Sequence, residues 1–267
     1  SKHAATSLDG VSRSDVLALK PQDLELLCRA YGLICSSGCW PDQTLKGYVR
    51  SLAKVDDTTQ VSHFRPITVF SNFYRTWSSI AARHWLKLVS DVVDPLLCGN
   101  TVGGRAAMVW RHMLAQVEMA HLGARGACGF SADIVKAFNI LPRHPAFAAM
   151  KMLGVDHGTL TAWAGALHGF VRHFVIQGNY SPGVRSCNGF PEGCALSCLA
   201  MLSLTQLFHR WMIAANTLFK PVSYVDNWGV ILESVDYMRQ ACQAVDEFAA
   251  ALQLDLDPAK SYCWAAD

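Results

Sequence analysis

Asp133 ends a small, apolar stretch, Ala127-Cys128-Gly129-Phe130-Ser131-Ala132, and is followed by Lys136 and Phe138 before Pro142 breaks the run. The stretch reads as a buried strand, which delivers one carboxylate where it stops. A carboxylate in that position costs free energy unless something compensates it. A divalent cation is the usual compensation, since Mg²⁺ takes oxygen ligands from one or two carboxylates and from substrate phosphates. The alternative is an Asp that caps the following turn. A second acid, Asp226, lies 93 positions further on, in Val222-Ser223-Tyr224-Val225-Asp226-Asn227-Trp228-Gly229-Val230-Ile231-Leu232. Two β-rich runs about a central Asp-Asn predict a hairpin whose turn carries the acid. Turn chemistry is again the alternative, because Asp and Asn tolerate positive φ.

Three other groups of residues invite a chemical reading. Tyr48 to Lys54 and Phe64 to Val69 predict the two strands of a hairpin around the polar turn 56–60. With Lys54 and Arg65 on its arms, that hairpin is a candidate phosphate clamp: Arg offers a planar fork of donors and Lys a point charge. Two solvated strand residues are the equal alternative. Gly103-Gly104 precedes a helix but follows no strand, so it makes a poor phosphate cradle. Cys35 and Cys39 have no matching Cys/His pair at zinc-finger spacing, and Cys128, Cys194, Cys198 and Cys242 lie in apolar runs as small hydrophobes. A disulfide framework and a structural zinc site are therefore not expected. A reducing, intracellular location, nucleus or cytoplasm, is.

The elements that must position these residues follow from periodicity and punctuation. Helices are predicted from Pro21 to about Ser37, over 70–93, from about Arg105 to Leu122, over Arg143–Leu153 and Thr159–Phe170, over 194–215 and over Val235–Leu252. Strands are predicted at His173–Gln177, at the hairpin Lys220–Tyr224 with Trp228–Leu232, and at 262–265. Gly189-Phe190-Pro191-Glu192-Gly193 reads as a kinked loop opening the 194–215 helix. That helix is apolar on nearly every side, hence buried, and its apolar run is too short for a membrane span. The pattern is α+β, with helices under one face of a mostly antiparallel sheet. Residues 1–20 are mixed, and the start at Ser1 suggests a piece cut from something larger.

Of the 267 residues, 51% are hydrophobic and 16% charged, which excludes disorder as the main state. A net charge of +2 lends no support to nucleic-acid binding, so any basic groove must come from local placement. The chain is long enough for one large domain or two interleaved subdomains.

Taken in order, these pieces resemble a reverse transcriptase, most closely those of LINE-type (non-LTR) retrotransposons. The residues that carry the resemblance are Lys54, Phe64-Arg65-Pro66-Ile67, Asp133-Ile134-Val135-Lys136-Ala137-Phe138, Gly189 to Ser197, Tyr224-Val225-Asp226-Asn227 and Leu254 to Ser261. The resemblance implies polymerase fingers and palm with no thumb, and two-metal transfer of a nucleotide to a primer 3′-hydroxyl. It implies fingers over 1–105, palm over 106–140, a return to the fingers over 141–193, and palm again over 194–267. It implies Asp133 and Asp226 as metal ligands with the Ile134 carbonyl, Mg²⁺ or Mn²⁺ as the ion, and Lys260 as the acid that protonates pyrophosphate. Lys54, Arg65, Lys136, Ala137, Phe138, Glu192 and Gly193 become nucleotide contacts, Phe138 excluding a 2′-hydroxyl. RNA template, DNA primer and dNTP are the implied partners, with no membrane.

Two positions depart from the family pattern. Glu192 stands where Gln is usual, and Asn227 stands where a second Asp is usual. Asn227 removes one acid and Glu192 adds one, so the formal acid count is unchanged and the two changes are candidates for compensation. A catalytically degenerate RNA-binding module of the same fold and an RNA-templated RNA polymerase are the alternative readings.

Overall fold

The computed structural model describes residues 6–56, 59–123 and 126–266. Asp57 and Thr58, part of the polar turn expected at 56–60, lie outside the described residues. In chain order the elements begin with α1 (Arg13–Leu17), α2 (Pro21–Ser37), β1 (Lys46–Ala53), β2 (Phe64–Val69), α3 (Asn72–Ser90) and α4 (Ala106–His121). They continue with β3 (Ala127–Asp133), α5 (Ala137–Ile140), α6 (Arg143–Met152), α7 (His157–Gly169), β4 (Val171–Ile176) and β5 (Asn179–Tyr180). The last are α8 (Leu196–Ala215), β6 (Lys220–Tyr224), β7 (Asn227–Leu232), α9 (Met238–Ala251) and β8 (Tyr262–Ala266).

The long helices and the two hairpins fall where the periodicity puts them. α1 was not anticipated; a Ser12–Asp15 capping box starts it, which satisfies two orphan N–H groups of so short a helix. The segment expected to be helical from Val235 opens as a 3₁₀ turn, Val235–Tyr237, before α9. Among the described residues no helix is long and apolar enough to cross a membrane.

The chain divides into two compact units, Ser1–Arg83 with Val155–Ser197 and His84–Gly154 with Cys198–Asp267. In the first, a four-stranded sheet runs β2-β1-β4-β5, with β1 antiparallel to β2 and parallel to β4. The β1–β4 pairing was not legible beforehand: the two strands are distant in sequence, and no local pattern announces a parallel partner. Its core is aromatic. Trp40, Tyr74 and Trp77 meet edge to face or tilted, with centroids 5.2–6.1 Å apart, and Trp40 Nε1 donates to the Ala162 carbonyl at 2.7 Å.

In the second unit the sheet runs β6-β7-β3-β8 and is antiparallel throughout. Its central strands are apolar: β3 is buried from Ala127 to Ala132, and β7 from Trp228 to Leu232. Trp228 stacks on Phe208 of α8 with centroids 4.6 Å apart and 10° between planes, and Phe248 of α9 packs edge-on at 5.4 Å. α8 and α9 thus hold the sheet from which Asp133 and the β6–β7 turn emerge.

Candidate active site

The hairpin β6–β7 pairs Tyr224 with Asn227, leaving Val225 and Asp226 as a two-residue turn. Such a turn needs positive φ, and Asp or Asn normally supplies it. Here Val225 does, at φ 57°, while Asp226 and Asn227 keep ordinary φ. A β-branched residue in that region is strained, by about 1–3 kcal/mol. The need for positive φ therefore does not account for Asp226.

Neighbouring chain over-determines the strained turn. Thr205 Oγ1 of α8 donates to the Val225 carbonyl at 3.3 Å. Gly99 lies so close beneath that a Cβ on it would overlap the Val225 amide nitrogen.

Across the sheet, β3 and β7 pair in a register that sets Asp133 opposite Asn227, and the Ile134 N–H reaches the Asp226 carbonyl at 3.4 Å. Two acids far apart in sequence thus end on adjoining strand ends. Asn227 is held in place: its Oδ1 accepts from the Ser131 hydroxyl at 2.7 Å. Ser131 lies two residues before Asp133 on the same face of β3.

The segment after α9 wraps the end of β3. Val135 N–H donates to the Asp255 carbonyl at 2.9 Å and Asp257 N–H to the Asp133 carbonyl at 2.8 Å. Asp133 N–H donates to Ser261 Oγ at 3.2 Å. This wrapping brings Lys260 Nζ to 3.4 Å from Asp133 Oδ1 and 3.1 Å from Asp257 Oδ2. The bond to Asp257 first, then the charge of Asp133, holds the Lys260 ammonium above its ordinary range. The bond to Lys260 in turn holds the Asp257 carboxyl below its own.

Lys136 adopts left-handed backbone at φ 48°, ψ 41°, and starts α5, on which Ala137 is buried and Phe138 half-buried. In the first unit, Lys54 N–H donates to the His63 carbonyl at 2.8 Å, extending the β1–β2 ladder. With Leu52 opposite Arg65, that ladder puts Lys54 and Arg65 on one face, and both are exposed. The Glu192 carbonyl accepts from Thr68 N–H of β2 at 2.7 Å. Gly193 sits at φ 111°, where an added Cβ would overlap the Thr68 carbonyl oxygen. Phe190 anchors this loop by stacking on Trp163, centroids 5.0 Å apart.

Within the second unit the structure gathers Asp133, Ile134, Asp226, Asn227 and Lys260. Lys54, Arg65, Glu192 and Gly193 belong to the first unit. Sequence reading missed Ser131, Asp257, Ser261 and Thr205. The three-residue spacing of Asp257 and Lys260 and the two-residue spacing of Ser131 and Asp133 were available signals; nothing local marks Thr205. Among the described residues no group of three or more His, Cys, Asp or Glu side chains gathers around a common point. The donor atoms that Asp133, Asp226 and the neighbouring backbone carbonyls could offer are all oxygens, the chemistry that fits Mg²⁺ or Mn²⁺ sharing its coordination with substrate phosphates and water.

Residues 53–265 match the model of the reverse transcriptase (RNA-dependent DNA polymerase) family. No curated protein matches the chain significantly in sequence. Among solved structures, apo telomerase from Candida tropicalis, truncated from its C-terminal domain, is similar at a TM-score of 0.62 and 11% identity, covering 92% of this chain and 56% of that one. Apo telomerase from the same organism gives 0.64 and 9%, covering 93% and 50%. Telomerase from Candida albicans in complex with a fragment of telomeric RNA gives 0.61 and 11%, covering 83% and 42%. At such identities the likeness is one of fold. The chain spans about half the length of these telomerases.

Proposed function

This chain belongs to the reverse transcriptase family, and from that premise we propose that it is the fingers and palm of an RNA-templated DNA polymerase from a retroelement of the non-LTR kind. The observation that supports the reading is the bonding of the Asp133 strand end to the β6–β7 turn that carries Asp226, with Lys260 Nζ at 3.4 Å from Asp133. Asp133, Asp226 and the Ile134 carbonyl would hold Mg²⁺ or Mn²⁺. When bound, the ion supplies activation of the attacking 3′-hydroxyl and charge stabilisation on the leaving oxygen.

The chain's own residues do the rest. The pairing of β3 with β7 holds the backbones of both acids together, which supports a site whose charge is in place before substrate arrives. Lys260 stays protonated against Asp257 and Asp133, and so keeps a proton to give to the leaving pyrophosphate. Lys54 and Arg65, cations on one face of the β1–β2 hairpin, suit triphosphate oxygens. Phe138 is proposed to exclude a 2′-hydroxyl, with Lys136 and Ala137 alongside. Glu192 and Gly193 are proposed as nucleotide contacts. RNA template, DNA primer and dNTP are the proposed partners.

The test is primer extension on an RNA template with Mg²⁺ or Mn²⁺, offering dNTPs or NTPs. We expect dNTP incorporation, cut at least about 10²-fold by Asp133→Asn, the scale of losing one charge-stabilising group. Extension with NTPs alone would move the assignment to an RNA polymerase. No extension, with RNA binding retained, would make the chain a binding module; Asn227 in place of an acid favours that second reading. The structural neighbours favour a telomerase-like polymerase within the same family, and preferential binding of telomeric RNA over other templates would select it.

A further inference from the structure

α8 is apolar on nearly every side, and Leu199, Leu202, Leu204, Phe208 and Met212 are buried along it. Thr205, Gln206 and His209 are buried too, His209 completely. Gln206 and Thr205 lie three and four residues before His209, so each neighbours it on the helix surface. Burying three polar side chains is unfavourable unless each finds a partner. Thr205 and His209 are bonded to the chain that enters or leaves the Asp226 turn, and Gln206 to the Asp94 segment that bonds Ser223.

Gln206 Oε1 accepts from Asp94 N–H at 2.7 Å. His209 Nε2 lies 3.0 Å from Ser223 Oγ, and its Nδ1 faces Asp94 Oδ2 at 3.6 Å, longer than a full hydrogen bond. A proton on Nδ1, facing the carboxylate, leaves Nε2 to accept from the Ser223 hydroxyl. Thr205 Oγ1 donates to the Val225 carbonyl at 3.3 Å and accepts from Trp228 Nε1 at 3.2 Å.

The Asp94 segment closes the arrangement from the other side. Its carboxylate accepts from Leu96 N–H at 2.8 Å. Leu96 and Cys98 then bond both backbone groups of Ser223, at 3.1 and 2.9 Å. Half-burial opposes ionisation of Asp94, but the His209 ring and the Leu96 N–H outweigh it and hold its carboxyl below the ordinary range.

We propose that Thr205, Gln206 and His209 form a polar brace on α8 that holds the Ser223–Asp226 turn in the strained geometry presenting the Asp226 carboxylate, with Thr205 and His209 as positioning residues. An apolar helix face would serve the core equally well, since replacing both partners of a buried hydrogen bond by apolar groups is nearly neutral. What an apolar face cannot do is pin Ser223, Val225 and Trp228 separately. The function assigned to the brace rests on the catalytic reading above; its mechanical action does not.

Two readouts keep those parts separate: amide hydrogen exchange across the turn, and Mn²⁺ affinity by electron paramagnetic resonance. Thr205→Val keeps the shape of the side chain and removes the hydroxyl; Ser223→Ala, which frees His209 Nε2, is the second variant. In each we expect protection of the Val225–Asn227 amides to fall about tenfold, the scale of one lost hydrogen bond, with α8 and β3 amides unchanged. Mn²⁺ affinity should fall severalfold in parallel, and Thr205→Ser should restore both. Unchanged protection at the turn, or an equal loss throughout the second unit, would overturn the brace. Asp226→Asn is the control. Lost Mn²⁺ binding in the control with wild-type affinity in Thr205→Val overturns the positioning role alone. Wild-type Mn²⁺ binding in Asp226→Asn overturns the metal reading, and exchange at the turn still decides the brace.

Discussion

Replacing Asn227 by Asp puts a second like charge beside Asp133. The two positions oppose each other across β3 and β7, and directly opposed antiparallel residues have Cα atoms about 4.5–5.5 Å apart. At an effective dielectric constant of about 20, carboxylates roughly 5 Å apart repel by about 3 kcal/mol. Two effects oppose that repulsion. Lys260 already sits against Asp133, and the Ser131 hydroxyl that now bonds the amide oxygen would bond a carboxylate more strongly, by roughly 1 kcal/mol. Asn227→Asp should therefore be less stable than wild type by about 1–2 kcal/mol in EDTA, read by urea denaturation. The order should reverse with metal. A divalent cation is attracted by the charge that repels Asp133, so Mn²⁺ should bind at least about tenfold tighter and add more stability to the variant than to wild type. Equal stability in EDTA together with equal stabilisation by Mn²⁺ would mean that side chain 227 does not face Asp133, and the metal site as built here would fail.

Other consequences follow from the same contacts. The Asp257–Lys260 pair gives a defined pH window. Asp257 is lowered on folding, so its contribution is present above the ordinary carboxylate range and is lost as pH falls through its folded value; Lys260 is raised, so its contribution is present below the ordinary lysine range and is lost as pH rises through its folded value. The stability difference between wild type and Lys260→Met should be flat from about pH 5 to about pH 10 and shrink at both ends, which denaturation across pH would show. Gly193→Ala should destabilise the first unit by more than about 1 kcal/mol, because the backbone is left-handed and the Thr68 carbonyl blocks the methyl; a thermal melt checks it. Trp228→Ala, which removes the ring stacked on Phe208 and packed against Phe248, should cost about 3–5 kcal/mol in urea denaturation.

Much of the fold was legible because its signals are local. Helical spacing of apolar residues gave α2, α3 and α8. Alternation with turn residues gave both hairpins, and the apolar lead-in gave β3. The joining of the first unit's hairpin to β4 was not legible, because β1 and β4 pair in parallel across a long stretch of intervening chain. α1 rests on a capping box in a stretch too short for periodicity to mark. Of the site, Asp133 and Asp226 stood out as acids at the ends of β-rich runs. Asp257 and Ser131 were passed over, since one reads as a turn acid and the other as a strand serine.

Residue order alone specifies which segments become strands and helices, and which family's motifs occur in which sequence, because propensity, periodicity and turn chemistry act over a few residues. Long-range packing chose the partners. It set Asp133 opposite Asn227, carried Lys260 back to the end of β3, and pressed Gly99 and Thr205 against Val225. That last contact put the strain on a valine and left Asp226 at a position where turn chemistry does not require an acid. No window along the chain contains those distances, since each depends on segments about a hundred residues apart or on the packing of α8 beneath the sheet.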